Sequence, residues 1–361
     1  MHYPYVIVGA GIAGITVAER LAQKYDQPIL LVEKRNHIGG NIYDCYNEAG
    51  ILIHQYGPHI FHTNHKHVYD YLSQFTEWND FQHRVLTYVD GNLLPMPISL
   101  ETLNQLYHLN LSVEEMAEFI EQRCVKIDSI QTSEDVALSK AGRDIYEKFF
   151  KNYTMKQWGC DPSELDPSVI SRIPFRFNRD TRYFADRYQG MPKHGYTKMC
   201  EAMLQHKNIH VLLQCDFRDI QKDITYDKLI YTGPADEFYD YKFGELLYRS
   251  LEFKFETHDK EMYQQAPVVN YPNDYDYTRI TEFKQLTWQK HDKTTIVKEF
   301  PCFGKEPYYP YPTKEWKDKF ALYKEMMDRE KNVYFIGRLA EYQYYNMDAI
   351  VDKALKLAES L

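Results

Sequence analysis

Five arginines, Arg172, Arg176, Arg179, Arg182 and Arg187, fall within one short span, interleaved with Phe175, Phe177, Tyr183 and Tyr188. Guanidinium groups beside aromatic faces suit a nucleotide, whose diphosphate needs charge and paired donors and whose base needs a stacking partner. A run of charge is more often a solvated face, and three of the five are expected to be that. Just upstream, Asn152-Tyr153-Thr154-Met155-Lys156-Gln157-Trp158-Gly159 places two aromatics at a helix end. A second set of residues offers different chemistry. Gly9, Gly11 and Gly14 stand at G-x-G-x-x-G spacing between the apolar run Val6-Ile7-Val8 and an amphipathic pattern reaching Leu21. A further apolar run, Ile29 to Val32, ends in Glu33.

Strand, glycine turn, helix, strand and acid together make a dinucleotide-binding βαβ unit. Gly9 permits the tight turn, Gly11 has no side chain to keep a pyrophosphate away, and Gly14 lets the helix pack close on the sheet. The free N–H groups and positive dipole end of that helix then face the phosphates. Glu33 would accept hydrogen bonds from the adenosine ribose hydroxyls and disfavour a 2'-phosphate. The bland alternative is a turn before any helix, which leaves the acid and the second strand unexplained. FAD is favoured over NAD. The basic loop Lys34-Arg35-Asn36-His37-Ile38-Gly39-Gly40-Asn41 resembles the R-x-G-G element of one large class of flavoproteins, and no second G-x-G-x-x-G follows.

The chain has 361 residues, 44% of them hydrophobic, enough for two or three domains. A formal net charge of -9 opposes adhesion to nucleic acid or anionic membrane, so an anionic ligand must meet a local arginine cluster. The first residues lack a basic n-region and their apolar run is broken by glycines, so a cytoplasmic, non-membrane protein is expected. Six cysteines without a C-x-x-C pair suit reduced thiols. The 32 tyrosines serve either as core-edge filler or as stacking and hydrogen-bonding groups. His54, His59 and His62 have no acid or cysteine at ligand spacing, and no metal is expected.

Residues 84–98 read as a hairpin turning at Asp90-Gly91-Asn92. From Leu100 to about Phe150 the pattern is helical, with a capping-box start at Ser112 and a further helix over Ala141 to Tyr153. Val211-Leu212-Leu213 and Lys228 to Tyr231 read as strands, and Leu251 to Phe300 as an antiparallel sheet. Val333 to Phe335 gives the closing strand, followed by Gly337-Arg338 and a helix from Met347 whose N-terminus would meet a flavin's pyrimidine edge. The expected fold is α/β: an FAD-binding Rossmann-like domain (1–80, 190–237 and 316–361), an inserted helical domain (100–188, with a mobile loop near 165–176) and an antiparallel β-sheet domain (81–99 and 238–315).

Taken together, these blocks resemble the bacterial UDP-galactopyranose mutases across essentially the whole chain. The likeness is carried by Gly9 to Gly14, Glu33 to Asn41, Tyr56-Gly57-Pro58-His59-Ile60-Phe61-His62-Thr63, Tyr153 to Gly159, Arg172 with Tyr183, Tyr277-Thr278-Arg279, Pro307 to Pro310, and Gly337-Arg338 with Tyr344. The resemblance implies an isomerase of nucleotide sugars, in which N5 of reduced FAD is the nucleophile at the anomeric carbon, with no net redox change. It implies that Arg172 and Arg279 clamp the diphosphate, with His59 and Tyr344 also at the catalytic centre. It assigns Phe150, Tyr153, Thr154, Trp158, Tyr183, Tyr309, His83 and Asn346 to the substrate. Gly9, Gly11, Ile12, Gly14, Glu33, Lys34, Arg35, Gly40, Asn41, His59, Ile60, His62, Arg338 and Met347 fall to the cofactor. An external reductant, a role in cell-wall or polysaccharide biosynthesis and a homodimer belong to the same expectation.

Two positions depart from the commonest pattern: His83 replaces an asparagine near the sugar, and Asn346 replaces an aspartate. UDP-N-acetylgalactosamine or a dTDP-6-deoxy sugar therefore stays open as substrate. Rival readings are a redox flavoenzyme of the amine oxidase type, whose flavin its substrate would bleach, and a non-catalytic nucleotide-sugar sensor.

Overall fold

The computed structural model describes residues 1–361. Five parallel strands form one sheet in the order Ile209–Leu212, Ile29–Val32, His2–Val8, Thr225–Tyr231 and Val333–Phe335. In the register, Val6 lies between Leu30 and Leu229. Side chains alternate between the two faces, and both faces are covered. Ile7, Leu31 and Ile230 enter the main core beneath the first helix, Ile12–Lys24, and the closing helix, Met347–Ser360. Val6, Leu30, Val32 and Leu229 pack on the other side against Phe217. Double-sided burial is why these strands read as unbroken apolar runs.

Seven strands make a second sheet in the order Tyr309–Pro310, Tyr248–His258, Thr294–Cys302, Arg279–Glu282, Val268–Asn270, Val85–Val89 and Asn92–Met96. The hairpin turning at Asp90-Gly91 is present. The sheet differs from a purely antiparallel one at a single seam, where Val268–Asn270 runs parallel to Val85–Val89. It borders two cores: Val297, with Phe283 and Leu286 of the short helix Phe283–Thr287, joins the core of the parallel sheet, while Val85, Val89 and Val268 join the core of the helical region.

That region holds helices Leu100–Tyr107, Val113–Glu121 and Ser133–Ile145, opened by capping boxes at Ser99, Ser112 and Thr132. The helix expected over Ala141 to Tyr153 is present from Arg143 onward, but it is irregular. Gly142 takes φ +77°, where an added Cβ would lie 2.2 Å from the Arg123 carbonyl oxygen, so the chain kinks. A widened turn over Tyr146–Lys151 follows, then a short helix, Asn152–Trp158, closed by Gly159 at φ +78°.

Candidate functional site

A groove runs along the carboxyl ends of the parallel strands, where open α/β sheets bind their ligands. Gly9, Gly11, Ile12, Glu33, Lys34, Arg35, Gly40, Asn41, His59, Arg338 and Met347 line it. Close packing explains the glycines. A Cβ on Gly9 would lie 2.0 Å from Thr232 Oγ1, and one on Gly14 would lie 2.1 Å from the Gly9 carbonyl oxygen. Gly11 is different: a Cβ there meets nothing nearer than 3.9 Å, so its bareness keeps the groove open rather than relieving a clash. Glu33 Oε2 accepts from the Ala10 N–H at 2.8 Å and Oε1 from the Arg35 N–H at 2.9 Å. The carboxylate thus clasps the turn and the strand end, and its remaining lone pairs are available to a ribose.

Three residues expected at the cofactor lie outside this groove. Gly14 lies beneath the turn, Ile60 packs against the core, and His62 stacks on Phe184 with ring centroids 3.6 Å apart; none lines the groove. His62 Nδ1 also bonds Asp186 Oδ2 at 2.9 Å, which turns that ring toward the 184–186 loop.

A second cluster adjoins the groove through Arg338, which lines it. The Arg338 guanidinium lies 5.3 Å from the Tyr309 ring and 4.8 Å from the Tyr344 ring, and Arg172 lies 4.7 Å from Tyr344. Tyr309 and Tyr344 stack with centroids 6.0 Å apart. Tyr344 is 42% exposed; partial desolvation of its phenol pushes the pKa up, yet Arg172, Arg338 and Arg279 outweigh it and hold the pKa below the ordinary tyrosine value. Arg279 Nε donates to Glu299 Oε1 at 2.7 Å; burial opposes its charge, but Glu299 and the Tyr153 and Tyr309 phenols hold it well above the usual value. Tyr153 is pushed up to about 12 by burial, with Arg279, Tyr183 and Arg172 among its charged neighbours. Three arginines and four tyrosines, Tyr153, Tyr183, Tyr309 and Tyr344, therefore share one cleft. Three cations with a single buried counter-carboxylate suit a polyanion.

Of the five clustered arginines only Arg172 belongs to it. Arg179 pairs with Glu101, Arg182 with Asp180, and Arg187 lies over Tyr188. Arg176 is buried and donates to the Tyr183 carbonyl at 3.1 Å, a structural role that its sequence context did not reveal.

Three residues expected at the substrate are instead interior. Phe150 is 2% exposed against Phe175, Thr154 is 5% exposed, and Trp158, 7% exposed, sits edge-on to Tyr309 with centroids 6.3 Å apart. The kinked entry to their helix turns that face into the helical core, leaving Tyr153 as its half-open residue. His83 is 5% exposed, its Nδ1 without a hydrogen-bond partner, between Tyr183 and Phe184. Burial, with Arg279 nearby, holds its pKa down at about 3, so the imidazole is neutral. Asn346 is exposed at the start of the closing helix and its side chain makes no cap. Burial likewise holds His59 at about 3. Glu299, Phe184 and Glu306, which pairs with Arg35, were absent from the sequence reading. Their partners are fixed by strand register and loop packing, and no local motif marks them.

The sequence profile of the UDP-galactopyranose mutase family matches residues 148–344, more than half of the chain. The chain belongs to this family. A profile of NAD(P)-binding Rossmann-like domains matches residues 7–75. Among members of the UDP-galactopyranose mutase family, a probable UDP-galactopyranose mutase of Klebsiella pneumoniae is 40% identical over 98% of this chain and 93% of its own length. A dTDP-fucopyranose mutase of Escherichia coli is 37% identical over 98% of this chain and 97% of its own. A crystal structure of reduced UDP-galactopyranose mutase has the same fold, with a TM-score of 0.79 at 17% identity over 99% of this chain and 95% of that one. Putrescine oxidase shares the fold at a TM-score of 0.59 and 12% identity, over 100% of this chain and 99% of that one. The UDP-galactopyranose mutase family relationship makes this chain an isomerase with a Rossmann-like domain, and it implies a flavin. No helix is long and apolar enough to cross a membrane.

Proposed function

We propose that the protein interconverts UDP-galactopyranose and UDP-galactofuranose with reduced FAD. The observation that carries the reading is the convergence of Arg172, Arg279 and Arg338 on Tyr309 and Tyr344 where the dinucleotide groove ends. The groove fits FAD: Gly11 leaves open the space that a Cβ would fill, and Gly40 lies so close to Gly11 that its own Cβ would fall 2.8 Å from the Gly11 Cα. Glu33 would hold the adenosine ribose, the Gly11 turn the pyrophosphate, and Arg338 with the start of the closing helix the ring system. When bound and reduced, the flavin would supply a nucleophilic N5 for the anomeric carbon.

The chain's own residues do the rest. Arg172 and Arg279 hold the diphosphate in place and stabilise the charge it gains as the anomeric bond to oxygen breaks. Tyr153, Tyr183, Tyr309 and Tyr344 donate O–H bonds to phosphate oxygens, and Tyr344, whose pKa three arginines lower, is a stronger donor than Tyr153 or Tyr309, whose pKa values burial raises. His59 and His83 stay neutral beside the sugar and flavin, so they contribute hydrogen bonds without adding charge. The cytoplasm is the proposed location, with an external reductant for the cofactor.

The dTDP-fucopyranose mutase among the relatives, with His83 and Asn346 at the sugar, supports a second reading: the same chemistry on a dTDP-6-deoxy sugar. Anaerobic turnover of UDP-galactofuranose and dTDP-fucofuranose, with and without dithionite, tests both. Conversion only with reduced flavin supports the mechanism, and the faster substrate decides the sugar. Bleaching of oxidised flavin by either substrate would overturn the isomerase assignment in favour of a redox enzyme.

A further inference from the structure

One ammonium group ties the helix that carries Tyr153 to the loop that delivers Arg279. Lys156 Nζ donates to the carbonyl oxygens of Tyr271 at 2.5 Å, Tyr275 at 2.6 Å and Tyr277 at 3.3 Å. Amides strengthen the same seam. Asn152 Nδ2 donates to Asn273 Oδ1 at 3.0 Å, and Asn273 Nδ2 donates to the Lys148 carbonyl at 3.0 Å. The loop passes directly into Thr278, whose N–H donates to the Glu299 carbonyl at 2.9 Å, and then into Arg279, whose guanidinium rests on the Glu299 carboxylate.

The helix is held from its other end as well. Arg249, 4% exposed, donates from Nε to the Gln157 carbonyl at 2.7 Å and from Nη2 to the Lys156 carbonyl at 2.8 Å. These carbonyls belong to the last turn, where intrahelical partners run out and a cation is favoured. Phe303 lies 4.1 Å from the Arg249 guanidinium.

An ammonium has three donors and no acceptor, and here all three meet carbonyls of one loop. Asp274 and Asp276 are near Lys156, yet neither Lys156 nor Arg249 forms an ion pair. Carbonyl contacts with defined directions fix position; a diffuse ion pair would not.

We propose that Lys156 is a positioning residue for nucleotide-sugar binding, holding Tyr153 and Arg279 at a set spacing across the cleft while Arg249 fixes the helix end. This rests on the mutase reading above. The test uses the flavin-loaded protein and UDP as probe, with affinity from calorimetry and kcat and KM measured separately. Lys156→Met is expected to retain flavin and to weaken UDP binding and raise KM about tenfold, the scale of a lost charge-assisted contact, with kcat changed far less. In a Tyr153→Phe background the same change should cost clearly less, because the lysine acts through that residue. Unchanged UDP affinity, or equal losses in both backgrounds, would overturn the proposal. Should Lys156→Met fail to fold, Asn273→Ala cuts the same seam without stranding a charge. A weakening of about threefold supports the proposal, and wild-type affinity overturns it. If the wild-type protein binds no UDP, the functional reading falls first and takes this inference with it.

Discussion

The guanidinium of Arg172 lies over the ring of Tyr344, 4.7 Å from its centroid, while Arg338 lies 4.8 Å from the same ring. One tyrosine ring thus attracts two cations that would otherwise repel. On the proposed function, an entering diphosphate would replace the ring as partner of both guanidinium groups.

Removing either clamp should separate cofactor binding from chemistry. Arg172→Ala and Arg279→Ala are expected to keep the yellow flavin and lose about 100- to 1000-fold in kcat/KM, as when one preorganised donor is deleted. Absorbance of the purified variants and steady-state turnover check this, and wild-type rates in either variant would break the assignment.

The three fingerprint glycines should fail in different ways. Gly9→Ala and Gly14→Ala place a Cβ about 2 Å from Thr232 Oγ1 and the Gly9 carbonyl respectively, and Gly9 is at φ +100° as well. Both should lower the melting temperature and abolish flavin binding. Gly11→Ala meets nothing within 3.8 Å of its Cβ, so it should fold with near wild-type Tm and still lose flavin. Circular dichroism melts beside flavin absorbance decide it.

Glu299 is 1% exposed and is the carboxylate partner of Arg279. Glu299→Gln leaves a guanidinium that is 28% exposed without its counter-charge, and a loss of about 2 kcal/mol of stability, the scale of a hydrogen bond to a charged group, is expected. Denaturant unfolding gives the number, and a change within experimental error would show that solvent or another group serves Arg279.

Acid should destabilise the protein through buried imidazoles. Burial holds His54 at about 4 and His59 and His83 at about 3, all below the unfolded histidine value. The unfolded chain therefore binds protons that the native chain refuses. Stability is full above about pH 6.5 and falls as pH drops toward the native values. His54 Nδ1 also accepts the His59 N–H at 3.1 Å, a bond that protonation at Nδ1 would break. Unfolding measured from about pH 7.5 to about pH 4.5 should show this slope, and His54→Asn should reduce it by about one proton, or ~1.4 kcal/mol per pH unit.

What the sequence determined by itself is local. The βαβ unit from Val6 to Glu33 was legible because its turn, helix start and strand end are neighbours along the chain, although only Gly14 meets its limiting contact, the Gly9 carbonyl, within a few residues, while Gly9 faces Thr232 and Gly11 faces Gly40. The hairpin at Asp90-Gly91 and the capped helix at Ser112 were legible for the same reason. The resemblance supplied Arg172 and Arg279 as a pair. Tertiary structure decided which of the other arginines matter: Arg172 reaches Tyr344, Arg179 crosses to Glu101, and Arg176, Arg182 and Arg187 settle on the neighbouring Tyr183 carbonyl, Asp180 carboxylate and Tyr188 ring. The same holds for Glu299, placed opposite Arg279 by strand register, and for Trp158 and Phe150, turned inward by the kink at Gly142 and the widened turn after it. Packing joins Arg179 to Glu101 and strand register joins Arg279 to Glu299, so no local window along the chain contains both partners of either pair.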